Sequence, residues 1–161
     1  SPSLGSTAER RAVLLDLLCE RIADARDHVV RSAADVALKH GEVVLVVDGV
    51  KDNIPGKLNP IYVPGNTVII KTDNNEFLFF AHFVKNSIAV SEGQIVKQGD
   101  LLGLCGNSGN SSEPHLHFHI QNVEDMNEAT GAKVYFENIL VDGRLKSDYS
   151  PVRKEKIKNI K

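Results

Sequence analysis

Three of the chain's six histidines stand at alternate positions in one run, Pro114-His115-Leu116-His117-Phe118-His119. Imidazole binds metals through either ring nitrogen and exchanges protons near neutral pH. If this run is a β-strand, its side chains alternate between two faces. His115, His117 and His119 then share one face, and Leu116, Phe118 and Ile120 share the other. Two imidazoles two residues apart can share a metal, or divide metal binding and proton transfer between them. A solvated strand that merely happens to carry histidine accounts for one such residue better than for three behind a Gly/Asn/Ser-rich loop. A hydrolytic zinc centre takes about three protein ligands and leaves a position open to water. His117 supplies one. Segment 28–35 offers His28 and Asp35, seven positions apart, and His40 is an alternative histidine.

A histidine strand needs a sheet to hold it, and the chain around it reads as β. The β-branched run of 42–47 closes on Asp48-Gly49, and residues 66–72 and 76–83 make two further strands about an Asp73-Asn74-Asn75 turn. The third of these carries His82. Segment 51–64 packs loop signals together, among them Pro55-Gly56 and Asn59-Pro60. Short strands follow at 95–96 and 101–104, and the polar loop 106–114 delivers the chain into the histidine run. Residues 134–141 read as a last strand or an irregular edge. Ahead of all this, Ser6-Thr7-Ala8-Glu9 has capping-box spacing, and Val13, Leu14, Leu17, Leu18 and Ile22 recur at helical intervals. The expectation is a mainly β protein, an antiparallel sandwich or partly open barrel with one N-terminal helix. It divides into a helical appendage (1–26), a main domain (27–143) and a basic, solvated tail (144–161).

Composition narrows the class of function. The chain has 161 residues, 42% hydrophobic and 25% charged, which suits one globular domain. A net charge of −2 gives no call for nucleic acid as a partner. No apolar run approaches the roughly 20 residues of a membrane span, and the start shows no signal-peptide pattern. Cys19 and Cys105 make no CxxC, and the expectation for both is a buried, inert thiol.

Order and spacing together resemble a known family. The run Gly65-Asn66-Thr67-Val68, then Phe80-Ala81-His82-Phe83, the Gly93, Gly99-Asp100 and Gly103 turns, and Gly106-Asn107-Ser108-Gly109 leading to Pro114-His115-Leu116-His117-Phe118 resemble the lysostaphin/LytM-type zinc metallopeptidases. The resemblance covers about residues 35–141. It implies a small antiparallel β fold and a zinc-dependent endopeptidase acting on peptidoglycan. By the same resemblance His117 is a zinc ligand and His115 a catalytic histidine beside the attacking water. His82 lines the site, to stabilise the oxyanion or hold His115 in its tautomer. Asp35, ahead of Gly41 and the Asp48-Gly49 turn, corresponds to the aspartate ligand, with His28 as its histidine partner. The family's usual spacing there is His-x-x-x-Asp, and position 31 of this chain is Arg31. His119 stands where relatives often carry Glu or Gln, and is expected either behind the metal ligands, touching them and not the metal, or at the rim. The implied partner is cell-wall peptide, and the implied location extracellular, periplasmic or otherwise in the cell envelope. Two other readings compete. One is a non-catalytic member serving as a binding or activator domain. The other is a phosphotransfer or carrier domain, prompted by the Val90-x-x-Gly93 and Val96-x-x-Gly99-Asp100 hairpins, in which His82 or His117 would be phosphorylated.

Overall fold

β-Branched and aromatic residues fill the longest apolar runs of the chain, and these runs pair as neighbours in one sheet. The computed structural model describes residues 11–12, 34–36, 39–152 and 154–158. Its strands are β1 (Arg11–Ala12), β2 (Ala34–Val36), β3 (Gly41–Val47), β4 (Asn66–Lys71), β5 (Phe77–Phe83) and β6 (Ile95–Val96), followed by β7 (Leu101–Leu104), β8 (His117–Gln121), β9 (Gly131–Ala132), β10 (Tyr135–Val141), β11 (Arg144–Tyr149) and β12 (Ile157–Lys158). The main sheet has the order β6-β3-β4-β5-β8-β9, all antiparallel. A second sheet is built on β10, flanked by β1, β11 and β12, and β2 pairs with β7. The fold is mainly β as expected, with open sheets rather than a closed barrel, and no helix among the described residues.

The main sheet buries both faces, unequally. Val43, Val68, Ile70, Leu78, Phe80 and Ile120 lie on one face and form the larger core with Phe136, Ile139 and Val141 of β10. Ile69, Phe79 and Ala81 lie on the other and form a smaller cluster with Leu45 and Phe77 at its margin. Two-residue alternation produces this division along β4, β5 and β8. A register shift between Val43 and Leu45 moves Leu45 to the smaller cluster. The division decides which face β8 offers to chemistry.

Three expectations change. Of the helix expected at 7–26, the described residues are Arg11 and Ala12. These form a short strand parallel to Tyr135 and Phe136 of β10; the others lie outside the described residues. Beyond residue 143 the chain does not leave as a solvated arm. Asp142 (φ 49°) and Gly143 (φ 78°) make a two-residue turn, and β11 returns along β10. Two positive φ values at an Asp-Gly pair match the right-handed twist of a hairpin. Cys105 is buried and disulfide-bonded, not a free thiol.

Candidate active site

β8 pairs with β5 in the register Ala81↔His117, Phe80↔Phe118, Phe79↔His119 and Phe77↔Gln121. Directly opposed residues of an antiparallel pair share a face. His117, His119 and Gln121 therefore stand on the side of the smaller cluster, as the alternation expects, while Phe118 and Ile120 point into the larger core. The His119 ring stacks on Phe79, with centroids 4.6 Å apart and planes 21° apart. Beside it a groove of about 710 Å³ runs along the same face. Leu45, Thr67, Ile69 and Phe79 form its floor, and segments 61–64 and 124–127 form its walls.

His82 reaches this face by a departure from alternation. Counting by twos from Phe80 would send it into the larger core. Between β4 and β5, however, the register passes from Asn66↔Phe83 to Thr67↔Ala81. His82 is the extra residue of a β-bulge, with φ at 69°. A bulge re-aims a side chain, and a non-glycine residue held in the left-handed region marks strain kept by its surroundings. Those surroundings are visible. The His82 amide donates to the Pro64 carbonyl at 3.1 Å, and its ring Nδ1 lies 2.8 Å from the Ser108 carbonyl. Its ring meets His115 at 4.8 Å and His117 at 5.7 Å between centroids.

The loop that supplies the Ser108 carbonyl is held against β4. The Asn66 amide donates to Ser108 Oγ, which donates in turn to the Phe83 carbonyl. Asn53 Nδ2 donates to the carbonyls of Gly109 and Ser111, and Asp52 accepts from the Asn107 and Lys85 amides. Gly109 (φ 74°) packs backbone against backbone on Gly65, where a Cβ would come within 2.4 Å of the Gly65 nitrogen.

Donor and acceptor chemistry fixes the ring tautomers. A carbonyl only accepts, so a ring nitrogen facing one carries the hydrogen. His82 Nδ1–H donates to Ser108. His115 Nδ1–H donates to the Glu113 carbonyl at 2.9 Å, with Ser111 Oγ at 3.2 Å. In their neutral forms both rings are left with a bare Nε2. Glu113 and Ser111 therefore hold the tautomer of His115; His82 does not. At His117 the pattern is reversed, because its Nε2 lies 2.9 Å from His119 Nδ1, whose own Nε2 faces Gln121.

Charge is disfavoured here. Burial lowers the pKa of His82; the Ser108 carbonyl opposes this and the neighbouring His115 adds to it. His117 keeps solvent access at the end of β8. Its packing still lowers its pKa to about 4, first by desolvation and then by repulsion from His119, His82 and His115. Both rings are neutral at pH 7, the state in which imidazole ligates a metal or accepts a proton.

The structure brings His82, His115, His117 and His119 together. Of the two places expected for His119, the structure gives the one behind His117: its ring is stacked, half-buried and hydrogen-bonded on both nitrogens. His40 is exposed at the far end of β3. Asp35 is placed by its backbone register opposite Gly103 of β7, at a bulge between Asp35 and Val36. His28 lies outside the described residues. Among the described residues no three His, Cys, Asp or Glu groups converge as a metal cluster. The donor chemistry of His117 nonetheless fits zinc, since a neutral ring with hydrogen on one nitrogen offers a lone pair on the other. Sequence reasoning passed over Gln121, Ser111 and the carbonyls of Ser108 and Glu113. Gln121 left a signal, as the third polar residue at alternate positions after His115.

Fold and site together define a class: a small antiparallel β protein with a cluster of neutral imidazoles on one sheet face. The chain belongs to Peptidase family M23, whose pattern matches residues 29–137. This bears out the resemblance to lysostaphin/LytM-type peptidases at the level of the family. Over 56 residues, 35% of its length, the chain is 39% identical to the peptidoglycan DD-endopeptidase ShyA of Vibrio cholerae, and the match spans 13% of that protein. Among solved structures it is similar to the catalytic domain of the antimicrobial peptidase lysostaphin from Staphylococcus simulans. That likeness has a TM-score of 0.47 and 24% identity, covering 62% of this chain and 67% of that one. A zinc-containing peptidase from Vibrio cholerae gives a TM-score of 0.46 and 21% identity, over 77% of this chain and 37% of that one.

Proposed function

We propose that this chain is a zinc-dependent endopeptidase that cleaves peptide cross-links of bacterial cell wall, working outside the cytoplasm in the envelope or beyond it. Membership of a peptidase family supports hydrolysis, and the likeness to a peptidoglycan DD-endopeptidase supports the substrate. A disulfide at Cys105 agrees with an oxidising compartment.

The observation that carries the proposal is the contact pattern of two histidines two residues apart, which assigns them opposite tautomers. His117, with its hydrogen on Nε2, offers Nδ1 as a metal donor, and Asp35 and His28 complete the ligand set in this reading. Bound zinc would supply Lewis acidity, acidifying water and polarising the scissile carbonyl. The remaining work falls to the chain. His115, with Nδ1–H tied to Glu113 and Ser111, presents a bare Nε2 to take a proton from water as it attacks. His82 beside it is kept neutral by burial. Two imidazoles at 4.8 Å resist carrying two charges, so the pair takes up one proton and can return it to the leaving amine. A neutral His82 with hydrogen on Nδ1 has no Nε2–H for an oxyanion, so it acts there only once the pair is protonated. The groove along Thr67, Ile69 and Phe79 accommodates an extended peptide.

The test is metal content and cross-link hydrolysis for three chains. Wild type is expected to hold about one zinc and cleave. His117→Ala should lose zinc. His115→Ala should keep zinc and lose about 10²–10⁴-fold in rate, the usual contribution of a general base. A wild-type chain that holds no zinc, or variants that keep full metal and full activity, would overturn the proposal.

A further inference from the structure

Four groups run in a line beneath the histidine cluster, and each hands its hydrogen-bond polarity to the next. The Glu124 main-chain carbonyl lies 2.8 Å from Gln121 Nε2. A carbonyl cannot donate, so the amide end of Gln121 is the one that faces it. That leaves Gln121 Oε1 toward His119 Nε2, at 2.8 Å. An amide oxygen cannot donate either, so His119 carries its hydrogen on Nε2 and turns a bare Nδ1 to His117. His117 Nε2, 2.9 Å away, must then carry the hydrogen. Its other nitrogen, Nδ1, is the lone pair. Gln121 is 1% exposed, and its burial shields its own amide from water.

We propose that His119 and Gln121 are positioning residues that transmit the polarity of the Glu124 carbonyl to His117, fixing its ring as the Nε2–H tautomer with Nδ1 as the metal donor. The inference rests on His117 being a ligand, as in the reading above. It adds that residues touching neither metal nor substrate set which nitrogen is offered. Partners of this kind raise ligand basicity and hold ring orientation, and their loss costs about 10–100-fold in metal affinity.

A purely structural role for His119 makes the opposite prediction, because the ring also stacks on Phe79. Two substitutions separate the roles. His119→Phe keeps an aromatic stack and removes both hydrogen bonds. His119→Gln gives up the stack but keeps an acceptor for His117 and a donor for Gln121. The readouts are the ring ¹⁵N spectrum of the metal-free chain, which reports the His117 tautomer, and zinc affinity by competition with a chelator. The relay predicts a single Nε2–H form of His117 in wild type and in His119→Gln, with affinities within about threefold. It predicts a mixed tautomer and about 10–100-fold weaker zinc in His119→Phe. Wild-type His117 in the Nδ1–H form overturns the relay, as does His119→Phe binding zinc like wild type while His119→Gln does not. If His119→Phe fails to fold, the wild-type spectrum and the His119→Gln affinity still decide. A wild-type chain that shows the Nε2–H form yet binds no zinc upholds the relay and overturns the peptidase reading instead.

Discussion

Gly109→Ala is the sharpest test of how the loop of residues 106–114 is seated. Gly109 sits at φ 74°, where an L side chain costs about 1–2 kcal/mol. A second cost is steric. The new Cβ would come within 2.4 Å of the Gly65 nitrogen and 2.6 Å of the Val63 carbonyl oxygen, both main-chain atoms. Neither can rotate away, so the loop must lift by about 1 Å, and backbone shifts forced by overpacking cost about 1–3 kcal/mol. The sum, about 2–5 kcal/mol, is a large share of the 5–15 kcal/mol that stabilises an ordinary domain. Gly49→Ala is the control. Gly49 also has positive φ, at 98°, but nothing stands within 4 Å of its Cβ position, so it should show the conformational cost alone. Urea unfolding at pH 7 of the three chains measures both, with unchanged m-values expected. The ¹⁵N signal of His82 Nδ1–H reports whether the Ser108 carbonyl stays in place. If Gly109→Ala unfolds within 0.5 kcal/mol of Gly49→Ala, as a rough margin for independent surface changes, and His82 keeps its hydrogen bond, the argument from close approach is wrong.

Two further outcomes follow from the structure. His117 titrates near 4 in the folded metal-free chain against a reference of 6.5, and His82 is also lowered. Between these values the unfolded chain binds a proton that the folded chain does not, so stability rises with pH across the window. The contribution is present in full above pH 6.5 and is lost as pH falls toward 4. Metal-free wild type should therefore lose urea resistance through this range more steeply than His117→Ala, and parallel curves would contradict it. Separately, ending the chain after Gly143 removes β11 and β12, strips Leu140 and Val141 of β10 of their partners on both edges and uncovers the buried Ile139 and Val141. The shortened chain should aggregate or unfold at lower urea, as unpaired apolar strand edges do; unchanged solubility and midpoint would argue that these strands are dispensable.

The histidine strand was legible because alternation is a local rule. His117 and His119 share a face and Phe118 and Ile120 share the other, as two-residue periodicity requires. His82 was legible as a site residue only through its family-like neighbours, Phe80-Ala81-His82-Phe83. Periodicity alone assigns it to the core, and the bulge that turns it out depends on pairing with Asn66 and Thr67, which lie sixteen and fifteen residues earlier. The Asp142-Gly143 turn was present in the sequence as a hairpin signal, but the charged run after it reads as solvated tail. Strand β11 pairs with side chains mostly in water, so no apolar pattern marks it. The tautomers were not legible at all. They depend on carbonyls of Ser108, Glu113 and Glu124, and a main-chain oxygen has no letter in the sequence.

Dependence on main-chain carbonyls governs how this site tolerates change. At 113 and 124 the group that matters is common to every residue, so the side chains there can vary while the rings keep their hydrogens where they are. Loop length enjoys no such freedom. One residue inserted between Glu113 and His115, or between Gln121 and Glu124, would displace the carbonyl from the ring or amide it now faces and remove the contact that sets the hydrogen. The site is thus written in the spacing of its loops more than in their composition, and substitution and insertion, often treated as similar kinds of surface change, would have opposite effects here.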